Sequence, residues 1–183
     1  MPKKFILAGF MAMAASTALS DSVAKLIANP DSIARSFIGH CLQNSGDYNR
    51  IVSFAEALNF DRIPQELDVL SAPQNPYDDF SQFKATDENG AVFLIGASRS
   101  KLDGIPMVAC SFGFEDLDLD ALVASLDRYI GLGRPQHEFT EMGQHYRIWE
   151  PVEEIVGSQI VLVDGTPMQM TVGSIGLLSP EKR

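Results

Sequence analysis

The chain has 183 residues, of which 45% are hydrophobic and 21% charged, a composition that suits one globular domain large enough to bury a core. Its formal net charge at pH 7 is −10, from 24 acidic and 14 basic side chains. Because so acidic a chain repels phosphate backbones, and no basic stripe offsets that field, we expect no nucleic-acid partner.

The N-terminal segment has the pattern of a secretory signal peptide. Two lysines near the start precede an apolar run over residues 5–15 and a small, polar tail that ends at Ser20. The run is too short to span a bilayer, which needs about 20 apolar residues, so we expect no membrane span. We predict cleavage after Ser20, or else after Ala18. Residues 1–20 would then be the signal, and residues 21–183 a single exported periplasmic or secreted domain with a charge of −12, from 12 basic and 24 acidic residues.

Two amphipathic helices are predicted next. The first begins at the proline-containing turn of residues 29–31, with Asp31 or Ser32 as its cap. It ends near residue 44, and its apolar face repeats every four residues, at Ile33, Phe37 and Cys41. The second helix runs from about Asp47 to Asn59, with an apolar stripe formed by Ile51, Phe54, Ala55 and Leu58. The short link between them predicts an antiparallel helix pair.

Strands follow a long irregular segment. Residues 61–79 contain three prolines and little periodicity, which predicts a loop. From Ser81 the period changes to two, and residues 88–90 form a hairpin signal. The continuous apolar run at residues 91–97 is typical of a central strand buried on both faces. After a turn at residues 101–104, the third strand directs four residues to one face: Val108, Cys110, Phe112 and Phe114.

A third helix is predicted between two groups of strands. The acidic residues at 116–120 suit the positive N-terminal end of a helix dipole. The helix ends at Gly131 or Gly133, and Pro135 prevents it from continuing. Its buried face is formed by Leu119, Leu122, Val123, Leu126 and Ile130.

A β-hairpin with its turn at residues 142–143 is predicted to follow this helix. The register places four pairs opposite one another: His137 and Ile148, Glu138 and Arg147, Phe139 and Tyr146, and Thr140 and His145. We predict that Glu138 and Arg147 form a cross-strand ion pair. Two further strands, at residues 159–163 and 168–172, flank a second turn.

The order of elements predicts an α+β fold. Strands are grouped rather than alternating with helices, which favours a mostly antiparallel sheet of about five to seven strands. We expect the N-terminal helix pair and the inserted helix to pack on one face of this sheet.

Cys41 and Cys110 are the two cysteines of the chain, and we predict that they form a structural disulfide. Each lies on the apolar face of its element, and an oxidising compartment favours pairing. The alternative is a reactive Cys41 thiol activated by His40. Neighbouring side chains on a helix diverge by about 100°, which argues against a Cys–His pair from this dipeptide.

No motif predicts a catalytic residue, a metal or a cofactor. Asp116 begins a pattern like that of a calcium loop, but the sixth and twelfth positions are Ala121 and Asp127 rather than glycine and glutamate. In the predicted hairpin, His137 and His145 lie on opposite faces and therefore cannot share a metal. The chain has no G-x-S-x-G sequence and no glycine-rich loop between a strand and a helix.

The sequence therefore favours a non-catalytic exported domain that binds another protein or a small ligand. An exposed apolar patch or a pocket would support this hypothesis. The first alternative is a small hydrolase whose polar groups converge only in the fold, with residues 61–79 as a candidate loop. It requires a concave site with two titratable side chains of shifted pKa. The second alternative is a lipid or small-molecule carrier with an enclosed cavity.

Overall fold

The computed structural model describes residues 28–64, 79–150, 157–165 and 172–182. In this part of the chain the helices are α1 (Pro30–Phe37), a π-helix (Ile38–Leu42), α2 (Tyr48–Ala57) and α3 (Leu119–Ile130). The strands are β1 (Asp61–Arg62), β2 (Asp79–Thr86), β3 (Val92–Leu102), β4 (Ile105–Glu115), β5 (His137–Glu141), β6 (Gln144–Trp149), β7 (Gln159–Asp164) and β8 (Val172–Pro180). The predicted signal peptide and its cleavage site lie outside the described residues.

The strands form one antiparallel sheet of eight strands in the order β1-β2-β3-β4-β8-β7-β6-β5. The α+β class and the antiparallel sheet are as predicted, but the predicted count of five to seven strands was too low. β1 was missed because it has only two polar residues and exists through its pairing with Lys84 and Phe83 on β2. The predicted strand at residues 168–172 overlaps the observed strand β8 only at Val172. Residues 166–171 lie outside the described part of the chain.

β8 contains two glycines, which interrupt the strand pattern in the sequence. The packing explains the first of them, Gly173. A Cβ on Gly173 would lie 2.8 Å from the ring of Phe114 on the neighbouring strand β4. Glycine in a strand interior is typical where another group approaches this closely. The C-terminal strand therefore lies beside β4 in the middle of the sheet, although nearly 60 residues separate the two along the chain.

The main core lies between the helices and one face of the sheet. The predicted core face of β4 is buried, with Cys110 and Phe112 at most 1% exposed. α1, the π-helix, α2 and α3 all contribute to this core. A smaller cluster lies on the opposite face of β6 and β7 and consists of Tyr146, Ile148, Val161 and Val163, with Phe139 beside it.

The helix ends follow local capping rules, with one correction. Asn29, not Asp31 or Ser32, caps α1, because its side-chain oxygen accepts hydrogen bonds from the backbone N–H groups of those two residues at 3.0 and 3.4 Å. Asp118 caps α3 by accepting from Ala121, and Gly131 ends α3 in the left-handed conformation, with φ +61°.

The end of the first predicted helix is a π-helix rather than regular α-helix. The backbone N–H of Gln43 donates to the carbonyl of Ile38, five residues earlier, at 3.1 Å. Gly46 follows in the link to α2 with φ +71°, and a Cβ there would lie 2.4 Å from the backbone oxygen of Pro180. The link is therefore packed closely against the C-terminal strand.

The β5–β6 hairpin has the predicted register, with Phe139 opposite Tyr146 and Glu138 opposite Arg147. The predicted ion pair between Glu138 and Arg147 is wrong. Glu138 instead lies 2.9 Å from Nε2 of His145, and Arg147 lies 2.9 Å from Asp120 at the start of α3. Arg147 occupies the helix-covered face, so the acidic first turn of α3 is within its reach. Among the described residues, no helix has the length and apolar character needed to cross a membrane.

Candidate functional site

The disulfide between Cys41 and Cys110 fixes the π-helix against the sheet. The two sulfur atoms are 2.01 Å apart, and the Cα atoms are 5.4 Å apart, within the range that a disulfide requires. Both residues are at most 1% exposed. Neither is a free thiol, so the alternative of a reactive Cys41 beside His40 has no support in this structure. The bond holds the backbone of His40, the preceding residue, in place above the core.

A pocket of about 290 Å³ lies beside this disulfide, between the α1–π-helix segment, α2 and the sheet. Its polar lining comes from one segment: Arg35, Ser36, Gly39 and His40. Its apolar lining comes from α2, the residues after it and strands β3 and β4: Phe54, Leu58, Phe60, Phe93, Ile95 and Phe112. One segment of the chain therefore supplies the polar lining residues, and the rest of the described lining is apolar.

His40 is the buried polar side chain of this pocket. The residue is 2% exposed, and its ring centroid lies 5.2, 6.2 and 6.1 Å from the centroids of Phe54, Phe60 and Phe112. Within the described residues, neither ring nitrogen has a hydrogen-bond partner. The backbone carbonyl of His40, by contrast, accepts a hydrogen bond from the side chain of Asn44 at 2.9 Å. The backbone is therefore satisfied and the imidazole is not.

Burial lowers the pKa of His40 to about 4, from an ordinary value of 6.5. The backbone of Ile51 raises the pKa in part, although it does not meet hydrogen-bond geometry with the ring. The imidazole is consequently neutral at pH 7. A neutral imidazole offers one N–H donor and one acceptor nitrogen, and in the described structure both nitrogens are buried.

The apolar part of the lining is mostly aromatic. Phe93 and Phe112 stack with centroids 5.4 Å apart and an interplanar angle of 13°, and Phe60 meets Phe93 edge-on at 6.5 Å. α2 and the residue that caps its C-terminus supply the rim, where Phe54 and Leu58 are 38% and 48% exposed. Both were predicted as part of the buried stripe of this helix, and that prediction was wrong. The pocket borders on solvent along these two side chains.

Gly39 keeps the pocket open from the helical side. A Cβ built on this residue would meet no atom within 4 Å, and its φ lies outside the left-handed region. Neither strain nor a close neighbour requires glycine at this position. Glycine in a helix interior costs about 0.5–1 kcal/mol relative to alanine, so this choice lowers stability and preserves space.

The charge at the rim is already neutralised. The Arg35 guanidinium lies 3.4 Å from Asp31 and 3.9 Å from Glu88, and its side chain is 55% exposed. None of the described lining residues is acidic. The interior of the pocket therefore has hydrogen-bonding capacity and little charge.

This arrangement suits binding better than catalysis. Ser36 and His40 lie one turn apart and both line the pocket, but they are not hydrogen-bonded, and no acid in the lining orients the imidazole. An imidazole with a pKa near 4 is also a weak general base at neutral pH. The hydrolase hypothesis required two titratable groups with shifted pKa, and the described lining contains one, His40.

The other histidines lie away from the pocket. His137 and His145 fall on opposite faces of the hairpin as predicted, and His145 contacts Glu138 and Thr140. Asp118, part of the calcium-like pattern, serves as the cap of α3. In the described ranges, no group of three or more His, Cys, Asp or Glu side chains is arranged to hold a metal ion.

Sequence reasoning missed the role of His40, which it weighed only as a partner of Cys41. The available signal was the Gly39-His40 dipeptide in an amphipathic helix, but its surroundings include Phe93 and Phe112, which lie over 50 positions further along the chain. Comparisons with protein-family models, with curated proteins and with solved structures found no match, so the function must be inferred from this pocket itself.

Proposed function

We propose that this protein is a small exported domain that binds an apolar small molecule in the pocket between the π-helix, α2 and the sheet. The observation that carries the proposal is the lining of this pocket, in which aromatic and aliphatic side chains accompany one buried polar side chain, His40. Ligand sites typically combine an apolar lining with a few polar groups that orient the ligand.

Gly39 and His40 both line the pocket, and both lower the free energy of unfolding without any structural benefit in the described part of the chain. A buried polar group without a partner costs about 1–3 kcal/mol, and a helical glycine about 0.5–1 kcal/mol relative to alanine. His40 and Gly39 carry these costs at adjacent positions, and both line the pocket. A ligand in the pocket would account for the glycine, which leaves space open at this position.

A small ligand is favoured over a protein partner by the distribution of exposed apolar residues. The large exposed hydrophobic side chains among the described residues come from five separate places in the chain: Phe54, Leu58, Val92, Ile105, Tyr129 and Met142. Only Phe54 and Leu58 are one helical turn apart, and they form the rim of the pocket. The apolar surface is therefore concave and local, whereas protein interfaces usually need a broader patch.

Export remains part of this proposal. The signal-like segment at residues 1–20 motivates it, and the buried disulfide between Cys41 and Cys110 is consistent with an oxidising compartment.

The proposal is tested by titrating the ¹⁵N-labelled protein with p-xylene and recording backbone amide spectra. We expect saturable shifts centred on the π-helix, α2 and β4. The matched control is Gly39→Leu, whose side chain would extend into the open space of the pocket and whose helix propensity is higher. This variant should be folded, at least as stable as the natural protein, and unable to bind. Absence of saturable shifts in the natural protein would contradict the proposal.

A further inference from the structure

We propose that this protein self-associates through the edge strand β5 (His137–Glu141), which pairs antiparallel with β5 of a second copy in a register centred on Phe139. The inference concerns a strand that does not line the pocket, and it does not depend on what the pocket binds.

The two ends of the sheet differ in how well they resist pairing with another chain. β1, at one end, has two residues and is followed closely by Pro64, and so short an edge gives a second strand little to pair with. β5, at the other end, has five residues and no proline, and the sheet of the described residues continues no further beyond it. Four of its five residues are exposed. β5 therefore offers an unpaired edge to another strand.

The turn of the β5–β6 hairpin decides which backbone groups of β5 face away from β6. Its loop consists of Met142 and Gly143, whose φ angles of +49° and +76° are those of a type I′ turn. Glu141 and Gln144 flank this turn as a pair, and in a two-residue hairpin this pair exchanges both backbone hydrogen bonds. Hydrogen-bonded pairs alternate along antiparallel strands. Every second residue of β5 therefore bonds to β6, and the residues between them direct their backbone groups to the outer edge.

Glu138 and Thr140 are the residues of β5 that this alternation turns outward. Both are exposed. When Phe139 lies opposite Phe139 of a second copy, Glu138 of one copy lies opposite Thr140 of the other, and the two residues exchange their backbone hydrogen bonds. Two-fold symmetry repeats the same pair on the other side of Phe139. The outward backbone groups of both copies are thereby satisfied.

The side chains of β5 favour this register over its neighbours. Phe139 meets its own copy in a non-hydrogen-bonded pair, where side chains approach most closely and aromatic pairs stabilise the sheet. Glu141 lies opposite His137 of the second copy, so no two carboxylates face each other. A register centred on Glu138 would place two glutamates side by side, and one centred on Thr140 would place Phe139 opposite Glu141. β5 is therefore self-complementary in one register.

The pairing would also extend the smaller apolar cluster across the dimer. Phe139 stacks on Tyr146 with ring centroids 5.2 Å apart and an interplanar angle of 13°, and it packs beside the cluster of Tyr146, Ile148, Val161 and Val163. Two antiparallel strands of one sheet are related by an axis perpendicular to the sheet, so this face lies on the same side in both copies. The two clusters then meet at Phe139, whose ring is only partly buried in one copy.

Met142 supplies a further observation at the end of the same strand. It is 86% exposed, the highest value among the exposed large hydrophobic residues of the described chain. Its φ of +49° is a conformation for which asparagine, aspartate and glycine are preferred in a hairpin turn. The register centred on Phe139 brings Met142 opposite Gln136 of the second copy, just before β5. An apolar side chain in an unfavourable turn position thus gains a neighbour in the dimer.

The test measures the dissociation constant of the dimer by sedimentation equilibrium for the natural protein, Thr140→Pro and Thr140→Val. Proline removes the outward N–H of residue 140, and its ring obstructs a second strand, but no hydrogen bond within the hairpin uses that N–H. Valine keeps the N–H and suits a strand, so Thr140→Val is the matched control. Circular dichroism verifies that both variants are folded.

We expect a weak dimer of the natural protein, with a dissociation constant of about 10–100 µM, because a contact through one short strand is a small interface. Thr140→Pro should raise this constant at least about 10-fold, since hydrogen bonds are lost on both sides of the two-fold axis. Thr140→Val should change it by less than about 3-fold. A natural protein that is monomeric up to about 1 mM, or equal association of the two variants, would overturn the inference.

A second variant keeps the test decisive if Thr140→Pro does not fold. Met142→Asn gives the hairpin the Asn-Gly sequence that a type I′ turn favours, so the monomer should be at least as stable as the natural one. Its dimer should nevertheless dissociate about 2- to 10-fold more readily, because an apolar contact is lost. Association of Met142→Asn as tight as that of the natural protein would contradict the proposed register.

The register itself is read from a mixture of ¹³C-labelled and unlabelled protein. We expect a nuclear Overhauser contact between the Hα atoms of Phe139 in the two copies, because residues in a non-hydrogen-bonded pair lie closest together. Contacts between copies that are centred on another residue, or that do not involve β5, would refute the proposal.

Discussion

Replacing His40 with leucine tests the energetics of the pocket without any ligand. The variant removes a buried imidazole that has no partner in the described structure, and such a group costs about 1–3 kcal/mol. We therefore expect the free energy of unfolding of His40→Leu at pH 7.5 to equal or exceed that of the natural protein. Point substitutions in general are centred near about 1 kcal/mol of destabilisation, so the predicted direction is unusual.

The difference in unfolding free energy between His40→Leu and the natural protein should depend on pH in one direction. The pKa of His40 is about 4 in the folded state and 6.5 in an ordinary setting, so between these values the unfolded chain binds a proton that the folded chain does not. Stability from this group is fully present above pH 6.5 and is lost as the pH falls towards 4. Each pH unit between 6.5 and 4 lowers the free energy of unfolding by about 1.4 kcal/mol, so the natural protein loses about 3 kcal/mol of stability by pH 4.

The assay is guanidinium unfolding of both proteins at pH 7.5, 6, 5 and 4, followed by circular dichroism. Carboxylates also titrate near the lower end, but they are common to both proteins and cancel in the difference. The advantage of His40→Leu should grow by about 3 kcal/mol between pH 7.5 and pH 4. A difference between His40→Leu and the natural protein that stays constant with pH would refute the assignment of His40 as a buried, unpaired imidazole.

Three further predictions concern the scaffold. Changing both Cys41 and Cys110 to alanine should lower the unfolding free energy by about 2–5 kcal/mol, and mass analysis of the unreduced natural protein should find no free thiol. Gly46→Ala should lower the thermal midpoint more than Gly104→Ala. Both glycines have positive φ, but only at Gly46 would a Cβ lie 2.4 Å from another backbone atom. Equal effects of the two substitutions would contradict the packing argument. Mass spectrometry of the protein from its native host should find an N-terminus at Asp21, or two residues earlier, and an intact first residue on a cytosolic protein would contradict export.

Local patterns in the sequence were sufficient for several parts of the structure. Residues of period two around a short turn specify the β5–β6 register, because a slip of one position would exchange the two faces of the strand. The period of four in the first helix and of two in β4 placed Cys41 and Cys110 on facing apolar surfaces, and the structure brings them to 5.4 Å between Cα atoms.

Tertiary structure alone decided the pairing of β4 with β8, the partner of Arg147 and the pocket. Each depends on residues that are distant along the chain, so no local period reports it. Phe54 illustrates the reason, since its spacing predicts a core position but the residue lies at the rim of a pocket that the helix leaves unfilled. His40 is the clearest case. Its sequence neighbours indicate only a helical histidine, and the loss of water that lowers its pKa follows from rings supplied by α2, the residues after it and β4.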